Sequence, residues 1–220
     1  MEGPKIYGYI LGLPLTETLV NTWIVMAIIL VMCYLLTRNM KKVPGKAQVI
    51  AETIVTVMDN LVAQTMGKDK MGFAPYMLAL IMFLAISNTA GIYGLRSPTA
   101  DLNCTVALAL MTFFMTQFFG LKAKGLGGYL KGYLEPMPFL LPINIIGELA
   151  NPVSLSFRLF GNMLGGLIIM GLLYSALTGF MFFAVAIPIP FHFYFDIFSG
   201  LLQSFIFTML SMVFISMAMD

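Results

Sequence analysis

Residues 151–177 read NPVSLSFRLFGNMLGGLIIMGLLYSAL, and Arg158 is the only charged residue among them. The apolar stretch to which they belong runs from about 139 to 177, and as a helix it would be roughly 58 Å long. The hydrocarbon layer of a bilayer is only about 30 Å thick. The sequence therefore predicts a membrane-spanning helix that is strongly tilted or kinked.

The composition also places the chain in a membrane rather than in water. Of 220 residues, 60% are hydrophobic and 10% are charged, whereas a soluble domain has about 45–50% apolar and about 25% charged residues. These proportions exclude an ordinary soluble globular protein and a disordered chain. The net charge is only +2, which argues against nucleic acid as a partner.

Apolar stretches of spanning length recur along the chain. Beside the stretch at 139–177, they lie at about 20–37, 73–93, 104–121 and 190–219. The last has about 30 residues and would measure about 45 Å as a helix, so it too must tilt or kink. A turn over 178–190 separates the last two stretches. We predict an all-α polytopic membrane protein, a single membrane domain over 1–220, with five transmembrane helices of which the last two are long and strongly tilted.

The segment at 46–66 has a different pattern. Its apolar residues recur at helical spacing: Val49, Ile50, Ile54, Val57, Met58 and Leu61. Glu52, Asp59 and Asn60 interrupt the opposite face. A helix of this kind lies on a membrane surface rather than across it, so we predict one amphipathic surface helix. A poor transmembrane helix is the alternative.

Basic residues set the expected orientation. The first span is followed by Arg38, Lys41, Lys42 and Lys46, and the third by Lys122, Lys124 and Lys131. Lys and Arg concentrate in cytoplasmic loops, and both segments then lie on the cytoplasmic side. We therefore expect the N-terminus outside, the C-terminus in the cytoplasm, and a loop at 122–131.

Three charged residues remain inside apolar stretches, namely Glu148, Arg158 and Asp196. Ionisable groups at membrane depth are costly, and their default interpretation is functional. Arginine does not lose its proton in proteins, so Arg158 is a fixed positive charge. A structural arginine, which snorkels to the interface or pairs with a carboxylate, is an equal alternative.

Polar and small residues accompany Arg158 on its helix. Asn162 follows four residues later and so shares the face of Arg158. Gly161, Gly165 and Gly166 make this part of the helix thin. The stretch therefore predicts that another helix comes close to the fixed charge.

Further polar residues are expected at other depths. Glu148 precedes Arg158 by ten residues and would lie about 15 Å nearer the cytoplasm. On the last helix, which runs the opposite way, Asp196 lies seven residues before Gln203. If Gln203 lies at the depth of Arg158, Asp196 is about 10 Å nearer the outside, and His192 is one turn farther out. This arrangement suits two ion paths that do not join.

Each of these residues also has a simpler interpretation. Glu148 can be an interfacial carboxylate beside neighbouring prolines. His192 can be an interfacial ring at the membrane edge, and Asp196 a structural partner of Arg158. The residues alone leave these alternatives open.

Known catalytic motifs are missing from the sequence. It contains no GxxxxGK[ST] phosphate loop, no HExxH and no GxSxG, each of which carries a defined chemistry. We expect no catalytic site, no cofactor, no metal site and no direct nucleotide binding. Cys33 and Cys104 are interpreted as packing residues because two cysteines are too few for a disulfide framework or a zinc site.

Several blocks of the sequence resemble subunit a of the bacterial F-type ATP synthases, a subunit of the ion-translocating membrane sector. The most specific block is SLSFRLFGNM at 154–163. The others are VPGKAQ at 43–48, PTADLN at 98–103, KGLGG at 124–128 and LLQSFIFTMLSMVFISMAM at 201–219. They occur in the order of that family and together span residues 43–219.

The resemblance implies roles for individual residues. Arg158 matches the essential arginine that faces the rotating ring of c subunits, with Asn162 and Gln203 as its polar partners. Asp196 matches the position of the outer path, and Glu148 lies close to an acidic position of the family. Some bacterial members carry a glutamate where this chain has Leu167. Because that glutamate is missing here, His192 is added as a further, weaker candidate for the outer path. The expected c-ring contacts are Leu159, Gly161, Gly165 and Gly166.

The resemblance also implies a function for the whole chain. It predicts a non-catalytic stator subunit with two offset half-channels for H⁺ or Na⁺ in the inner membrane of a bacterial cell. The expected partners are the c-subunit ring, the peripheral stalk of b subunits and membrane lipid. Two other classes fit the composition and spans: a separate transporter or channel that binds an anionic substrate at Arg158, and a structural membrane scaffold.

Overall fold

The fold is seen in a computed structural model, which describes residues 5–10, 12–38, 40–134, 139, 141–177 and 187–220. Within these residues, five helices are long and apolar enough to cross a membrane: Glu17–Thr37, Lys68–Asn88, Leu102–Tyr129, Leu141–Leu177 and Pro188–Met219. The prediction of an all-α polytopic membrane protein with five spans is confirmed. The turn predicted over 178–190 falls largely on 178–186, outside the described residues.

A short hairpin precedes the first helix, and the sequence analysis did not predict it. Strands β1 (Ile6–Ile10) and β2 (Leu13–Thr16) pair in antiparallel fashion. Gly12, in the turn between them, has a φ of 82°. Glycine adopts this left-handed conformation without the steric penalty of a Cβ atom.

Helix α1 (Glu17–Thr37) begins three residues before the span predicted at 20–37. Its first turns carry polar side chains that bond the loop after the second span. Thr18 Oγ1 donates to Asp101 Oδ2, and Asn21 Nδ2 donates to the carbonyl oxygen of Arg96, each at 2.8 Å. The helix extends beyond the apolar stretch because these tertiary bonds satisfy its polar groups.

Helix α2 (Lys46–Thr65) nearly coincides with the helix predicted at 46–66. One of its faces packs on the other helices through the buried side chains of Met58 and Val62. Val49, Ile50 and Val57 are exposed. An apolar face that this chain leaves uncovered suits a membrane interface, and the surface position of α2 stays a prediction.

The second span, predicted at 73–93, consists of three helical segments. A 3₁₀ turn at Lys68–Phe73 leads into helix α3 (Ala74–Asn88), and a second 3₁₀ turn follows at Ala90–Tyr93. Asn88 is buried and donates from Nδ2 to Ser204 Oγ at 2.9 Å on the last helix. This bond fixes the C-terminal end of α3 against that helix.

Helix α4 (Leu102–Leu134) corrects the prediction of a span that ends at 121 and a loop at 122–131. The chain is helical on both sides of Gly125, which breaks the helix with a φ of 69°. Beyond this break the ring of Tyr129 lies across Gly120, where an added Cβ would come within 2.9 Å of it. The loop prediction was wrong because Gly127 and Gly128 remain helical. Glycine in a helix interior lowers stability by only about 1 kcal/mol relative to alanine.

The last two helices are α5 (Leu141–Leu177) and α6 (Pro188–Met219), predicted at 139–177 and 190–219. Pro152 lies inside α5, where proline removes a helical hydrogen bond and bends the axis. Residues Phe193–Ser199 of α6 form a π-helical stretch, a geometry found frequently at functional sites. The tilt of both helices in a membrane stays a prediction.

The core lies where α3, α4, α5 and α6 meet. Its fully buried residues include Leu84, Leu159, Phe207 and Ile215. Hydroxyl pairs also cross between helices, with Thr105 and Ser156 at 3.2 Å and Thr112 and Ser211 at 3.1 Å. In lipid, close packing and bonds of this kind hold helices together because apolar burial alone gains little there. This packing decides which faces of α5 and α6 remain open.

Candidate functional site

Arg158 lies on the open face of α5, and its side chain is exposed. Among the described residues it makes no hydrogen bond or ion pair. The alternative in which Asp196 is its structural partner is wrong, because Asp196 pairs with His192 instead. Arg158 is therefore a fixed charge that the described residues leave available to another group.

The predicted polar partners of Arg158 bond to each other across two helices. Asn162 is exposed on α5, and its Nδ2 donates to Gln203 Oε1 of α6 at 2.7 Å. Gln203 is 1% exposed, and its Nε2 has no hydrogen-bond partner among the described residues. An unpaired buried amide group is costly, so this pair forms a polar position one turn from Arg158 that can take a further bond.

Asp196 and His192 meet within the π-helical stretch and its preceding turn. His192 Nδ1 lies 2.6 Å from Asp196 Oδ2, and His192 Nε2 lies 2.9 Å from the hydroxyl of Tyr174 on α5. Asp196 packs closely on Gly91, because a Cβ added to Gly91 would lie only 2.8 Å from Asp196 Oδ1. The two residues predicted separately for the outer path are thus one hydrogen-bonded unit.

A cavity of about 450 Å³ connects this unit with the neighbourhood of Arg158. Its lining includes Asn162, Tyr174, His192 and Asp196. Leu167 lines it as well. The cavity thus extends from His192 to Asn162, with a leucine rather than an acidic residue at position 167.

Glu148 lies in a second polar region, on the other side of Arg158 along α5. Gln117 Nε2 of α4 donates to Glu148 Oε2, and the hydroxyl of Tyr129 donates to Gln117 Oε1. A cavity of about 730 Å³ is lined by Glu148, Tyr129 and Asn151 together with neighbouring residues. A smaller one of about 40 Å³ continues past Glu148 and Asn151 to Leu155.

The cavities at Glu148 and the cavity at Asp196 have no lining residue in common. Along α5, the lining of the Glu148 side ends at Leu155, and that of the Asp196 side begins at Asn162. Arg158 lies between these two positions and lines none of the three cavities. In the part of the chain that the structure describes, two spaces with polar residues in their linings thus lie on either side of one fixed charge.

Two of the four residues predicted to contact the c-ring are buried within this chain, and the contacts themselves stay a prediction. Leu159 is fully buried in the core, and Gly166 is buried against the ring of Phe195. At Gly161 and Gly165, by contrast, an added Cβ would meet no atom within 4 Å. Successive residues of a helix are rotated by about 100° about its axis. Leu159 and Gly166 are therefore rotated by roughly 80–100° from Arg158, toward the bundle. Gly165 is rotated by only about 20° and faces almost the same way as Arg158.

Three further residues of this region escaped the sequence analysis. Tyr174 gave no signal, because an aromatic residue in an apolar helix is usually a packing residue. Gln117 does carry a sequence signal, because an amide within an apolar span needs a hydrogen-bond partner. Tyr129 was assigned to a loop, and only the break at Gly125 brings it back to Gln117.

No group of His, Cys, Asp and Glu side chains that could hold a metal ion occurs within the described ranges. Cys33 is exposed, and Cys104 is partly buried; neither is paired.

Comparison with known proteins decides the family. The model of the family described as ATP synthase A chain matches residues 19–216 of this chain. The chain belongs to this family. Subunit a from Propionigenium modestum, named as sodium ion specific, is 38% identical over 98% of this chain and 84% of its own length. An ATP synthase subunit a 2 from a Bradyrhizobium strain is 38% identical over 93% of this chain and 89% of its own length. A subunit a from Moorella thermoacetica is 35% identical over 93% of this chain and 91% of its own length.

Membership of the subunit a family agrees with the resemblance found in the sequence. The chain is a multi-pass membrane protein of the F-type ATP synthase membrane sector, where ion transport is linked to ATP synthesis. As a subunit a it works in a complex with other subunits.

Proposed function

We propose that this chain is the stator half of a rotary ion path, with one half-channel at Asp196, a second at Glu148 and Arg158 as the charge that separates them. The observation that supports this proposal best is the position of Arg158 between two polar spaces that share no lining residue. A channel through the chain would instead need one continuous space.

The moving partner in this proposal is the ring of c subunits, each with a carboxylate in mid-membrane. That carboxylate must be neutralised by H⁺ or Na⁺ while it faces lipid, because a bare charge there is costly. At the stator it releases its ion, and the guanidinium of Arg158 stabilises the exposed carboxylate. Arg158 is available for this role because no described residue of its own chain pairs with it.

The two half-channels would then serve opposite sides of the membrane. Ions enter from the outside past His192 and Asp196 and reach the ring near Asn162. They leave, or enter in the reverse direction, through the space at Glu148. Moving one elementary charge across 100 mV is worth about 2.3 kcal/mol, so the ring must couple several such steps to each ATP.

Arg158 would also prevent a direct leak between the two spaces. A cation that moves from Asn162 toward Leu155 along α5 meets the fixed positive charge of Arg158. Like charges repel each other strongly where the dielectric constant is low. The transported ion is H⁺ or Na⁺. The sodium-specific name of the Propionigenium modestum relative keeps Na⁺ in consideration.

The remaining parts of the proposal concern placement. We propose that the protein lies in the inner membrane of a bacterial cell with its N-terminus outside and its C-terminus in the cytoplasm. The b subunits of the peripheral stalk and the c-ring are its partners. The open face of α5 around Gly161 and Gly165 is the surface we assign to the ring.

The decisive test is ATP-driven ion pumping in inverted membrane vesicles. Arg158→Ala should abolish pumping, and Arg158→Lys should nearly do so because Lys lacks the planar fork and can lose its proton at depth. Arg38→Ala, which removes an exposed arginine at the end of α1, is the matched control and should pump normally. Normal pumping by an assembled Arg158→Ala complex would refute the proposal.

Cross-linking tests the surface assigned to the ring. In a background without Cys33 and Cys104, Gly161→Cys and Gly165→Cys should form disulfides with cysteines on c-subunit helices. Leu159→Cys, whose side chain points into the core, should not. Cross-links at residue 159 alone would place the ring on another face of α5. Solute uptake by the purified chain without a ring would favour a separate transporter.

A further inference from the structure

The C-terminal half of α1 is not covered by the described part of this chain. Val25 is the last buried residue of the helix. Beyond it, Ile28, Val31 and Leu35 are all exposed. An exposed apolar surface of this kind marks a contact with lipid or with another protein.

An open groove of about 650 Å³ follows this surface along the helix axis. Its lining runs from Ile24 to Leu36, through residues that recur three and four positions apart and so share one helix face. These two residues are about 18 Å apart along the axis, close to the roughly 15 Å of hydrocarbon in one leaflet of a bilayer. The groove therefore matches the depth of a single lipid layer.

The side chains of the groove are bulky. Ala27 is the only small one among the described residues that line it, and the others are Ile, Val, Leu and Met. Helices that associate in lipid need small residues at the contact, because small residues let the two backbones come close. Bulky side chains instead offer many van der Waals contacts to a flexible acyl chain. The groove thus suits lipid better than a partner helix.

A basic cluster follows the groove in the chain. It consists of Arg38, Lys41, Lys42 and Lys46, which are all exposed. Within the described ranges none of the four makes an ion pair. Arg38 keeps helical backbone angles, with φ −55° and ψ −36°. Because it comes seven residues after Val31, its side chain extends the face of the groove.

Gln48 fixes the loop of this basic cluster on α2. Its Oε1 accepts from the backbone N–H of Lys41 at 2.9 Å, and its Nε2 donates to the Lys41 carbonyl oxygen at 3.0 Å. The same Nε2 donates to Glu52 Oε1 at 2.8 Å. Glu52 is the only acidic residue within 38–52, so the cluster keeps a net positive charge. The lysines are therefore presented at a defined place after the end of α1.

We infer that the groove and the basic cluster together bind a phospholipid whose headgroup has a net negative charge. The headgroup phosphate pairs with the neighbouring lysines and with Arg38, whose planar fork can donate two hydrogen bonds to phosphate oxygens. One acyl chain lies in the groove between Ile24 and Leu36. None of these residues lines the cavities at Glu148 and Asp196, so loss of the lipid should leave pumping unchanged.

Charge distinguishes this lipid from a zwitterionic one. The headgroup of phosphatidylcholine has no net charge, so a positive cluster gains little from it. An anionic headgroup is attracted by every Lys or Arg nearby, and each one strengthens binding about fivefold. Met40 and Val43 are exposed beside the lysines, and apolar side chains of this kind enter the headgroup region of a membrane. The loop thus combines a charge contact with an apolar one.

The test measures which lipid lies next to each face of α1 in the assembled complex. Val31→Cys, in a background without Cys33 and Cys104, carries a bimane fluorophore inside the groove. A second complex carries the label on the native Cys33, which is exposed and is rotated by about 200° from residue 31. Both complexes are placed in phosphatidylcholine vesicles that contain a nitroxide-labelled lipid, either phosphatidylglycerol or phosphatidylcholine. Quenching is compared at equal mole fractions of the two labelled lipids.

At residue 31, phosphatidylglycerol should bind at least about fivefold better than phosphatidylcholine, which is the effect of one basic residue. At Cys33 the two lipids should quench equally. Lys41→Gln combined with Lys42→Gln should remove most of the preference at residue 31. High salt should do the same, because it screens exposed charges.

The matched control is Lys122→Gln combined with Lys131→Gln, which removes the same charge from exposed lysines of α4. This variant should keep the preference for phosphatidylglycerol at residue 31. If Val31→Cys does not assemble, Ile28→Cys places the label in the same groove.

Three results would overturn the inference. Equal quenching by both lipids at residue 31 would show that charge does not select the lipid. The same preference at residues 31 and 33 would indicate a diffuse accumulation of anionic lipid instead of a site. Quenching by neither lipid at residue 31 would show that another subunit covers the groove. Each of these results leaves the proposed ion path untouched, because no residue of the groove belongs to it.

Discussion

Replacing Gly91 by alanine should disturb the outer path without altering any polar group. The added Cβ would lie 2.8 Å from Asp196 Oδ1 and 2.9 Å from its Cγ. Ordinary van der Waals contact begins at about 3.4 Å, so the carboxylate must retreat by about 0.6 Å. The φ of Gly91 is not in the left-handed region, and the backbone itself accepts alanine.

The size of the effect follows from the bond that Asp196 makes. Its Oδ2 lies 2.6 Å from His192 Nδ1, and a displacement of this size lengthens or misaligns that bond. Hydrogen bonds to charged groups are worth about 1.5–3 kcal/mol. If half of this is lost in the rate-limiting step of ion transport, the rate should fall about three- to tenfold.

The assay is ATP-driven ion uptake by inverted vesicles, together with a measurement of assembled complex. Gly171→Ala is the matched control, because Gly171 lines the same cavity and has no atom within 4 Å of an added Cβ. It should pump at the native rate. Equal rates for Gly91→Ala and Gly171→Ala, with full assembly of both, would refute the reasoning that Asp196 must stay in contact with His192.

Two other predictions concern the opposite side of the chain. Gln117→Leu should slow ion release several-fold, because it removes the amide that donates to Glu148. Initial rates of ATP-driven uptake would check this. Native rates in this variant would show that Glu148 needs no such partner. Lys70 Nζ lies 2.5 Å from Asp220 Oδ1, and the hydrogen bond from Lys70 lowers the pKa of Asp220. The stabilising contribution of this pair is therefore present above the ordinary pKa of an aspartate and is lost as the pH falls through the lowered value. Hydrogen exchange at the last turn of α6 should therefore rise in that acidic range. In Asp220→Asn, exchange should be raised already at neutral pH. Identical exchange in Asp220→Asn and the native protein would contradict the pairing.

The sequence could predict the class of fold because hydrocarbon imposes simple rules on a chain. Backbone groups must be satisfied within each span, so length and apolarity alone located the helices near 20–37 and 139–177. Charge scarcity likewise pointed to Arg158, since few charges are tolerated at depth. The same rules failed at 122–131, where lysines and glycines occur in a helix broken only at Gly125.

The site was predictable in its residue types but not in its pairings. Glu148, Arg158, Asp196 and Gln203 stand out as polar residues in apolar stretches. Nothing in a linear pattern shows that Asp196 pairs with His192 rather than with Arg158, because this depends on how α5 and α6 pack.

By itself, then, the sequence determined that this is a helical membrane protein with one fixed charge in a long helix, and its motifs indicated the family. Only the tertiary structure decided that Leu159 and Gly166 turn into the bundle while Gly165 stays open. It also decided that Tyr174 contacts His192. The physical reason is that burial and hydrogen bonds between helices depend on rotation about each helix axis, which close packing sets and composition does not.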